Sequence, residues 1–494
     1  MKKFYFALMA LLWLNTCAFA DNWMSHLPDE TYVASVSIPG THDSGTGNGF
    51  NSSLGESFAR TQDISFGDQW KIGIRAFDLR PCTTKDGYLN INHGIVATKL
   101  RFDDALCQLR DSLIANPSEF VVIHLLHEDS GDSGDTPYET MLMELLQRDD
   151  LKDFFVDFRK DLKVSDMRGK MLILSRDKYA SKPVGGFMSN WCGYIDWNQQ
   201  TRGVITGAGT GAYSTGALYM QDFSDTREEG AVDVKIGGIQ KLLDYTTTHI
   251  PTSPVQIVWA FNFASAYCNN GLISTSDGYR ENASYTHAAI LDYLKTHQAG
   301  PTRIILMDYA GVDKSNDYET RGAELVDSII ANNFKYLEYE TDESRVNKAV
   351  YEELSDVLKT LNREYSSASR KINSECPDVA AYFTDELESV KACLDSIDAE
   401  VDSLYENVLL TEDYTIDSES ISAQISALVD EAVKAQAEFE TVGIDGIVDE
   451  EDDGACTYYS VSGERLAAPR EGQIAIVKYS NGKVKKIIMP RKGR

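Results

Sequence analysis

The sequence predicts an α/β protein: a closed (β/α)8 barrel of TIM type, then an antiparallel helical module, then a small C-terminal β unit. Three observations lead there. Short apolar runs recur from residue 31 to about 335, several apolar on both faces, as parallel strands covered by helices are. Helix-length segments lie between many of them. From Val346 onward the apolar period changes to alternating steps of three and four, the seam of packed helices. An open doubly wound sheet is the main rival for the first part.

The chain of 494 residues is too long for one ordinary domain. It begins MKKFYFALMALLWLNTCAFADNW, where Lys2 and Lys3 precede an apolar run and Ala18-Phe19-Ala20 forms a small-x-small site. Residues 1–20 are therefore expected to be a secretory signal peptide, too short for a membrane span. Cys17 raises a lipoprotein reading, which Asn15 and Thr16 disfavour. The barrel is expected over residues 21–338, on eight strand candidates. These are TYVASVSI (31–38), GIRAFDLR (73–80), YLNIN (88–92), FVVIHLL (120–126), KMLILSR (170–176), ALYMQDF (217–223), VQIVWAFNF (255–263) and RIILMDY (303–309). Helices are expected at Asp103–Ala115, Tyr138–Arg148, Ile236–Thr247, Ser284–His297 and Glu319–Asn332.

Residues 339–445 read as the helical module. Val350, Leu354, Val357, Leu361 and Tyr365 form one seam. A second runs Phe383, Leu387, Val390, Leu394, Ile397, Val401 and Leu404, and a third Ile421, Ile425, Leu428, Ala432, Ala435 and Phe439. DEEDDG marks a linker at 446–455, and residues 456–494 alternate apolar and polar with Gly-bearing turns, as a small antiparallel unit does.

Net charge is −29. Residues 341–455 hold 30 Asp/Glu against 8 Lys/Arg, whereas 456–494 hold 9 basic against 2 acidic residues. Such a field repels polyanions and makes nucleic acid an unfavourable partner. Of eight cysteines, Cys376 with Cys393, Cys82 with Cys107, and Cys192 with Cys268 are candidate disulfides for an exported protein. The chain has no Cys-x-x-Cys pair, which disfavours a cysteine zinc site.

In a barrel of this kind the working residues lie where strands end at the C-terminal face. Those positions hold His42 and Asp43, Asp78 and Arg80, His93, His127 and Glu128, Arg176, Asp222, Asn262, and Asp308. Asp78 and Arg80 are two apart and leave one face of an extended strand. Two histidines can serve as proton acceptor and donor, an arginine matches a phosphate, and carboxylates orient imidazoles. The set suits in-line displacement at a phosphodiester without a covalent enzyme intermediate. His124 and His249 read as structural, and HEDSGDSGD (127–135) as a solvated loop rather than a calcium site.

SIPGTHDSGT, AFDLRP, NHG, NPSEFVVIHL, RGKMLILSR, MQDFS and LMDYAG occur in this order. Over roughly residues 31–335 the chain thereby resembles the X domain of bacterial phosphatidylinositol-specific phospholipase C. The resemblance implies a distorted TIM-type barrel. Its implied reaction is attack of the inositol 2-hydroxyl on the adjacent phosphate, releasing diacylglycerol and a 1,2-cyclic inositol phosphate. It implies His42 as general base with Asp308 orienting it, and His93 as general acid supported by Asp43. Arg80 would clamp the phosphate beside Asp78, and Arg176 and Asp222 would touch inositol hydroxyls. Eukaryotic relatives hold calcium with a carboxylate at the position of Arg80, so the resemblance implies no metal and no other cofactor here. The implied partner is an inositol phospholipid at a membrane surface. Two departures bear on the head group: an aromatic expected two residues after Asp222 is Ser224, and a basic residue after the fourth strand is replaced near Leu126–His127. Trp191, Trp197 and Phe187 are candidates for an apolar docking rim. The last forty residues, with YSVSGERL and a closing basic hairpin, resemble type IX secretion sorting segments, which with the signal peptide implies a secreted or surface protein. Two other readings stay open: a metal-dependent glycerophosphodiester phosphodiesterase, and a non-catalytic barrel binding inositol lipids or glycans.

Overall fold

The computed structural model describes residues 20–191, 203–268, 275–441, 456–470, 473–479 and 484–488. Most of the expected signal segment, Cys17, Cys192, Trp197 and the expected linker 446–455 lie outside the described residues. Contacts divide the chain into two compact units, one ending at Glu340 and the other beginning at Thr341.

In the first unit β1 (Ile38–Thr41) and β2 (Ala76–Leu79) are followed by β3 (Pro81–Thr83), β4 (Leu89–His93) and β5 (Val96–Arg101). Then come β6 (Val121–Leu125), β7 (Met171–Ser175), β8 (Gly186–Ser189), β9 (Gly203–Gly207), β10 (Thr215–Gln221), β11 (Val258–Phe263) and β12 (Ile304–Met307). Nine of them close a barrel in the order β1-β12-β11-β10-β9-β8-β7-β6-β2. Neighbours are parallel, except that β9 runs antiparallel to β8 and β10. The barrel is thus TIM-type and distorted.

Two strand expectations need correction. YLNIN becomes β4 in a separate antiparallel sheet, β3-β4-β5. Only nine residues separate Leu79 from Leu89, too few for the crossover that a parallel strand requires. β2 pairs directly with β6 instead, and the barrel gains the short, glycine-bearing β8 and β9 between β7 and β10, which carry little periodic signal. The first run enters the sheet only at Ile38. Before it, Asn333 occupies both backbone groups of Ser37, at 2.8 Å each.

Helices follow the strands where the apolar spacing demands a covered face. Phe102–Ala115 carries Asp103 and Asp104 in its first turn, complementing the helix dipole, and buries Leu106, Leu109 and Leu113. Ala231–Thr248, Asp277–Thr296 and Gly322–Tyr336 behave likewise. Phe77, Ile123, Ile173 and Leu306 are fully buried, each contributing roughly 1.5–3 kcal/mol. At the strands' N-terminal end a buried Arg75–Glu119 pair (2.8 Å) is covered by Trp70, 3.8 Å from the guanidinium. Polar chemistry is left to the opposite end.

The second unit holds helices Asp342–Glu375, Thr384–Glu406 and Ser418–Thr441. Asn347 binds Tyr405 O, so the first two run antiparallel; Glu364 meets Ser422 and Asp378 meets Gln436, so the third follows the first. Leu354 and Leu361, Leu387 and Leu394, and Ile425 and Ala432 lie in the buried seams. The tail forms β13 (Cys456–Tyr459), β14 (Arg465–Leu466), β15 (Ile474–Tyr479) and β16 (Val484–Ile488), ordered β14-β13-β15-β16. Ile474 joins the helical core, and the Lys486 ammonium lies 3.6 Å from the Phe439 ring centre.

Cys82, Cys107, Cys376 and Cys393 are free thiols, correcting two of the disulfide expectations. Cys376 is buried in the helical core while Cys393 faces out. Cys82 is buried under Gly131, and Cys107 receives Arg148 at 3.5 Å. Cys268, the described half of the third pair, is also free and donates to Gly278 O at 3.4 Å.

Candidate active site

The cluster begins where β1 runs out. His42 N–H continues the register by donating to Met307 O at 2.9 Å. Gln62 Nε2 fastens the same place, donating to His42 O and Met307 O at 2.9 and 2.8 Å. Asp43 then takes φ +45°, the left-handed region, at a cost of about 1–2 kcal/mol for an L-residue. The glycines after it serve packing rather than approach to a ligand. A Cβ on Gly45 would come 2.6 Å from Ile91 Cγ2, and one on Gly47 only 1.8 Å from Ile64 O.

Strand ends bring the other groups to this turn. Asp308 follows β12, and its Oδ1 lies 2.8 Å from His42 Nδ1. His42 Nε2 points the other way, 3.2 Å from Asp43 Oδ2. Asp78 on β2 and Arg80 just beyond meet at 2.8 Å, and Arg80 Nε lies 3.1 Å from Asp43 Oδ1. Arg80 Nη1 is 4.0 Å from Glu128. His93 arrives from the side sheet, not from a barrel strand. Its Nδ1 is 2.7 Å from Ala59 O. Because a carbonyl only accepts, Nδ1 carries a proton and Nε2 faces the cluster. That Nε2 lies 3.6 Å from Asp43 Oδ2 and 3.5 Å from the Tyr279 hydroxyl. Asp43 therefore sits between two imidazoles and a guanidinium. Neither of its buried carboxylate oxygens makes a well-directed hydrogen bond through these contacts, an uncommon state that marks functional places.

Burial alone would drive protons off His42, but the Asp43 and Asp308 carboxylates outweigh it and hold the imidazole at about 9. Burial would likewise raise Asp78. Arg80 and then His124 reverse this and keep its carboxyl well below the usual range. His124, read from sequence as structural, belongs to the network: its Nδ1 is 2.8 Å from Asp78 Oδ1. Burial pushes its proton affinity down against Asp78. The signal for it was cross-strand pairing, since His124 is the register partner of Asp78.

Arg176 and Asp222 form the second half. Trp191 links them: its Nε1 donates to Asp222 Oδ2 at 2.9 Å, and the Arg176 guanidinium lies 4.4 Å from its ring centre. Arg176 Nη1 is 3.9 Å from Asp222. The Trp191 ring also lies 5.3 Å from that of His124, which joins the two halves. Trp191 is thus a wall of the site rather than an outer rim. Two strand-end residues lie elsewhere. His127 turns away to Asp132 (2.9 Å) and stacks on Tyr138 at 3.8 Å. Asn262 faces helix Ala231–Thr248, binding Ile239 O. Its neighbour Phe263 packs against His42 and His124 instead.

His42, Asp43 and Asp78 offer donor atoms within 4.8 Å of one another, as a cation would require. The same two carboxylates face the Arg80 guanidinium at 3.1 and 2.8 Å. A cation among them would meet that positive charge at close range, so the residues fit a metal poorly.

No family model matches the chain. It is 24% identical over 313 residues to a 1-phosphatidylinositol phosphodiesterase of Staphylococcus aureus, covering 62% of this chain and 94% of that protein. A protein of the same name from Listeria monocytogenes is 35% identical over 170 residues, 33% of this chain and 50% of that protein. Among solved structures, a phosphatidylinositol-specific phospholipase C from S. aureus, in work on its membrane binding, superposes with a TM-score of 0.51 at 21% identity. That match covers 63% of this chain and 98% of that one.

Proposed function

We propose, from the homology of about 62% of this chain to bacterial phosphatidylinositol-specific phospholipases C, that it cleaves phosphatidylinositol-type lipids by transferring the phosphorus to the neighbouring inositol hydroxyl. One observation carries the reading: a single buried carboxylate, Asp43, lies 3.2 and 3.6 Å from two imidazole Nε2 atoms with Arg80 beside it.

In this reading it is the neutral form of His42, the lesser form at neutral pH because Asp43 and Asp308 favour the charged one, whose Nε2 takes the proton of the inositol 2-hydroxyl as that oxygen bonds to phosphorus. The bond from phosphorus to the diacylglycerol oxygen breaks, and that oxygen takes a proton from His93 Nε2. Diacylglycerol and inositol 1,2-cyclic phosphate leave, and the two imidazoles have exchanged protonation states. Water entering in the reverse sense opens the cyclic product. Arg80 neutralises charge on the non-bridging oxygens, where a preoriented guanidinium acts without reorganising. Asp308 fixes the His42 ring and stabilises its charged form, and Asp43 steadies both imidazoles. Asp78, charged and paired with His124, keeps Arg80 in place. Arg176 and Asp222, joined by Trp191, receive the inositol hydroxyls, and the indole supplies the aromatic face that Ser224 does not.

No metal enters these steps. Export fits Lys2, Lys3 and the apolar run after them. Among the described residues no helix is long and apolar enough to cross a membrane. The tail is read as a sorting segment on its sequence resemblance. Phosphorus NMR of the protein with phosphatidylinositol and excess EDTA tests the whole: a transient cyclic phosphate is expected. Hydrolysis of glycerophosphodiesters that EDTA abolishes would favour the metal-dependent alternative and overturn this reading.

A further inference from the structure

Phe223, the residue after Asp222, is held at both of its backbone groups. Phe223 N–H donates to Gln221 Oε1 at 3.0 Å, and its carbonyl accepts from Lys235 Nζ at 2.6 Å. Gln221 is itself tied down, its Nε2 donating to Asn262 Oδ1 and Phe263 O, both at 2.8 Å. Asn262 in turn reaches Ile239 O on the helix that carries Lys235, at 3.1 Å. Asp222 thus leaves β10 on a frame of side chains rather than on a free loop.

Lys235 is the unusual member. It is fully buried, in the second turn of helix Ala231–Thr248. Burying an ammonium costs several kcal/mol unless charge and hydrogen bonds compensate it. A residue needed only to fill this volume would be Leu or Met. Its hydrogen bond is to the Phe223 carbonyl, and the carboxylates of Asp222 and Asp308 favour its charged form from beyond ion-pair distance. Burial pulls the amine down to about 7 against both.

We propose that Lys235 is a positioning residue for head-group recognition, which fixes the Phe223 carbonyl and holds the Asp222 carboxylate against Trp191. The proposal rests on Asp222 being a head-group contact. Lys235 touches no substrate; it acts through the peptide it anchors and the charge it places behind Asp222.

The test uses the full chain and Lys235→Met, which keeps the length of the side chain and removes the charge. With phosphatidylinositol in mixed micelles, KM is expected to rise roughly tenfold or more, as for loss of a charge-assisted hydrogen bond, while kcat stays within about threefold. The indole N–H of Trp191, assigned by its loss in Trp191→Phe, is expected to shift in the proton–nitrogen spectrum and to exchange faster. An unmoved indole with an unchanged KM overturns the proposal. So does a fall in kcat with KM and indole unaltered. If the methionine variant melts below the assay temperature, Lys235→Gln, which removes the charge but can keep a neutral N–H bond to Phe223 O, is expected to show the same changes at smaller size. Absence of cyclic phosphate with the unmodified protein would sink the lipase reading alone. The indole measurement needs no substrate and still decides whether Lys235 holds Asp222.

Discussion

His42 binds its proton more tightly in the folded chain than a free histidine does, because two carboxylates face it in a dry place. Proton NMR of the ring should give a value near 9, and Asp308→Asn should bring it down towards 6.5. The raised value also makes stability depend on pH. The folded state gains fully from this proton below 6.5 and loses the gain as pH rises through about 9. The unfolding midpoint should therefore fall between pH 7 and 9, and fall less in His42→Ala. For turnover, His42→Ala and His93→Ala should each lose about 10²–10⁴-fold, the usual worth of general acid–base catalysis. Both should keep their affinity for phosphatidylinositol vesicles. A protein that only binds would have no turnover to lose, which separates the two readings. His42, Asp43, Asp78, Arg80, His93 and Asp308 could be picked from the sequence because each polar residue interrupts or follows an apolar run. His124 could not, because an inward histidine in the middle of FVVIHLL looks like core until its strand neighbour is known.

At the scale of elements, the turn after β1 depends on a glycine that leaves no room for a side chain. A Cβ at Gly47 would overlap Ile64 O, a backbone atom that cannot swing aside. Gly47→Ala should therefore cost roughly 1–3 kcal/mol by overpacking, visible as a lowered denaturant midpoint. It should also reduce turnover, since this turn holds the backbone beside His42 and Asp43. An unchanged midpoint would show that the turn can reshape. The side sheet teaches a related lesson. YLNIN has the composition of a barrel strand, yet the chain after Leu79 is too short to cross over, so it pairs as a hairpin and brings His93 in from the side. Strand identity was readable from β-branched and aromatic content; strand partner was set by connection length.

For the whole molecule, residues 341–455 carry the densest acidic excess and residues 456–494 a basic one. The first unit carries the entire cluster of imidazoles, carboxylates and arginines described above. A chain ending at Glu340 should accordingly keep cyclic phosphate formation within about threefold of the full chain, a span of less than 1 kcal/mol. Calorimetry of the full chain should resolve two unfolding transitions, as expected of units with separate cores. A single transition with loss of activity on truncation would show that the units depend on each other.

Periodicity by itself determined the α/β class of the first part, the three-helix seams and the β character of the tail, because burial of apolar faces repeats locally along the chain. The polar residues at the strand ends were legible for the same reason, as breaks in that repetition. Only the tertiary structure decided the ninefold closure, the antiparallel β9, and the meeting of Asp78 with His124, Trp191 with Asp222, and Lys235 with Phe223 O. Those contacts join residues 12 to 46 positions apart, and their partners are fixed by register, loop length and buried charge, which no local pattern records.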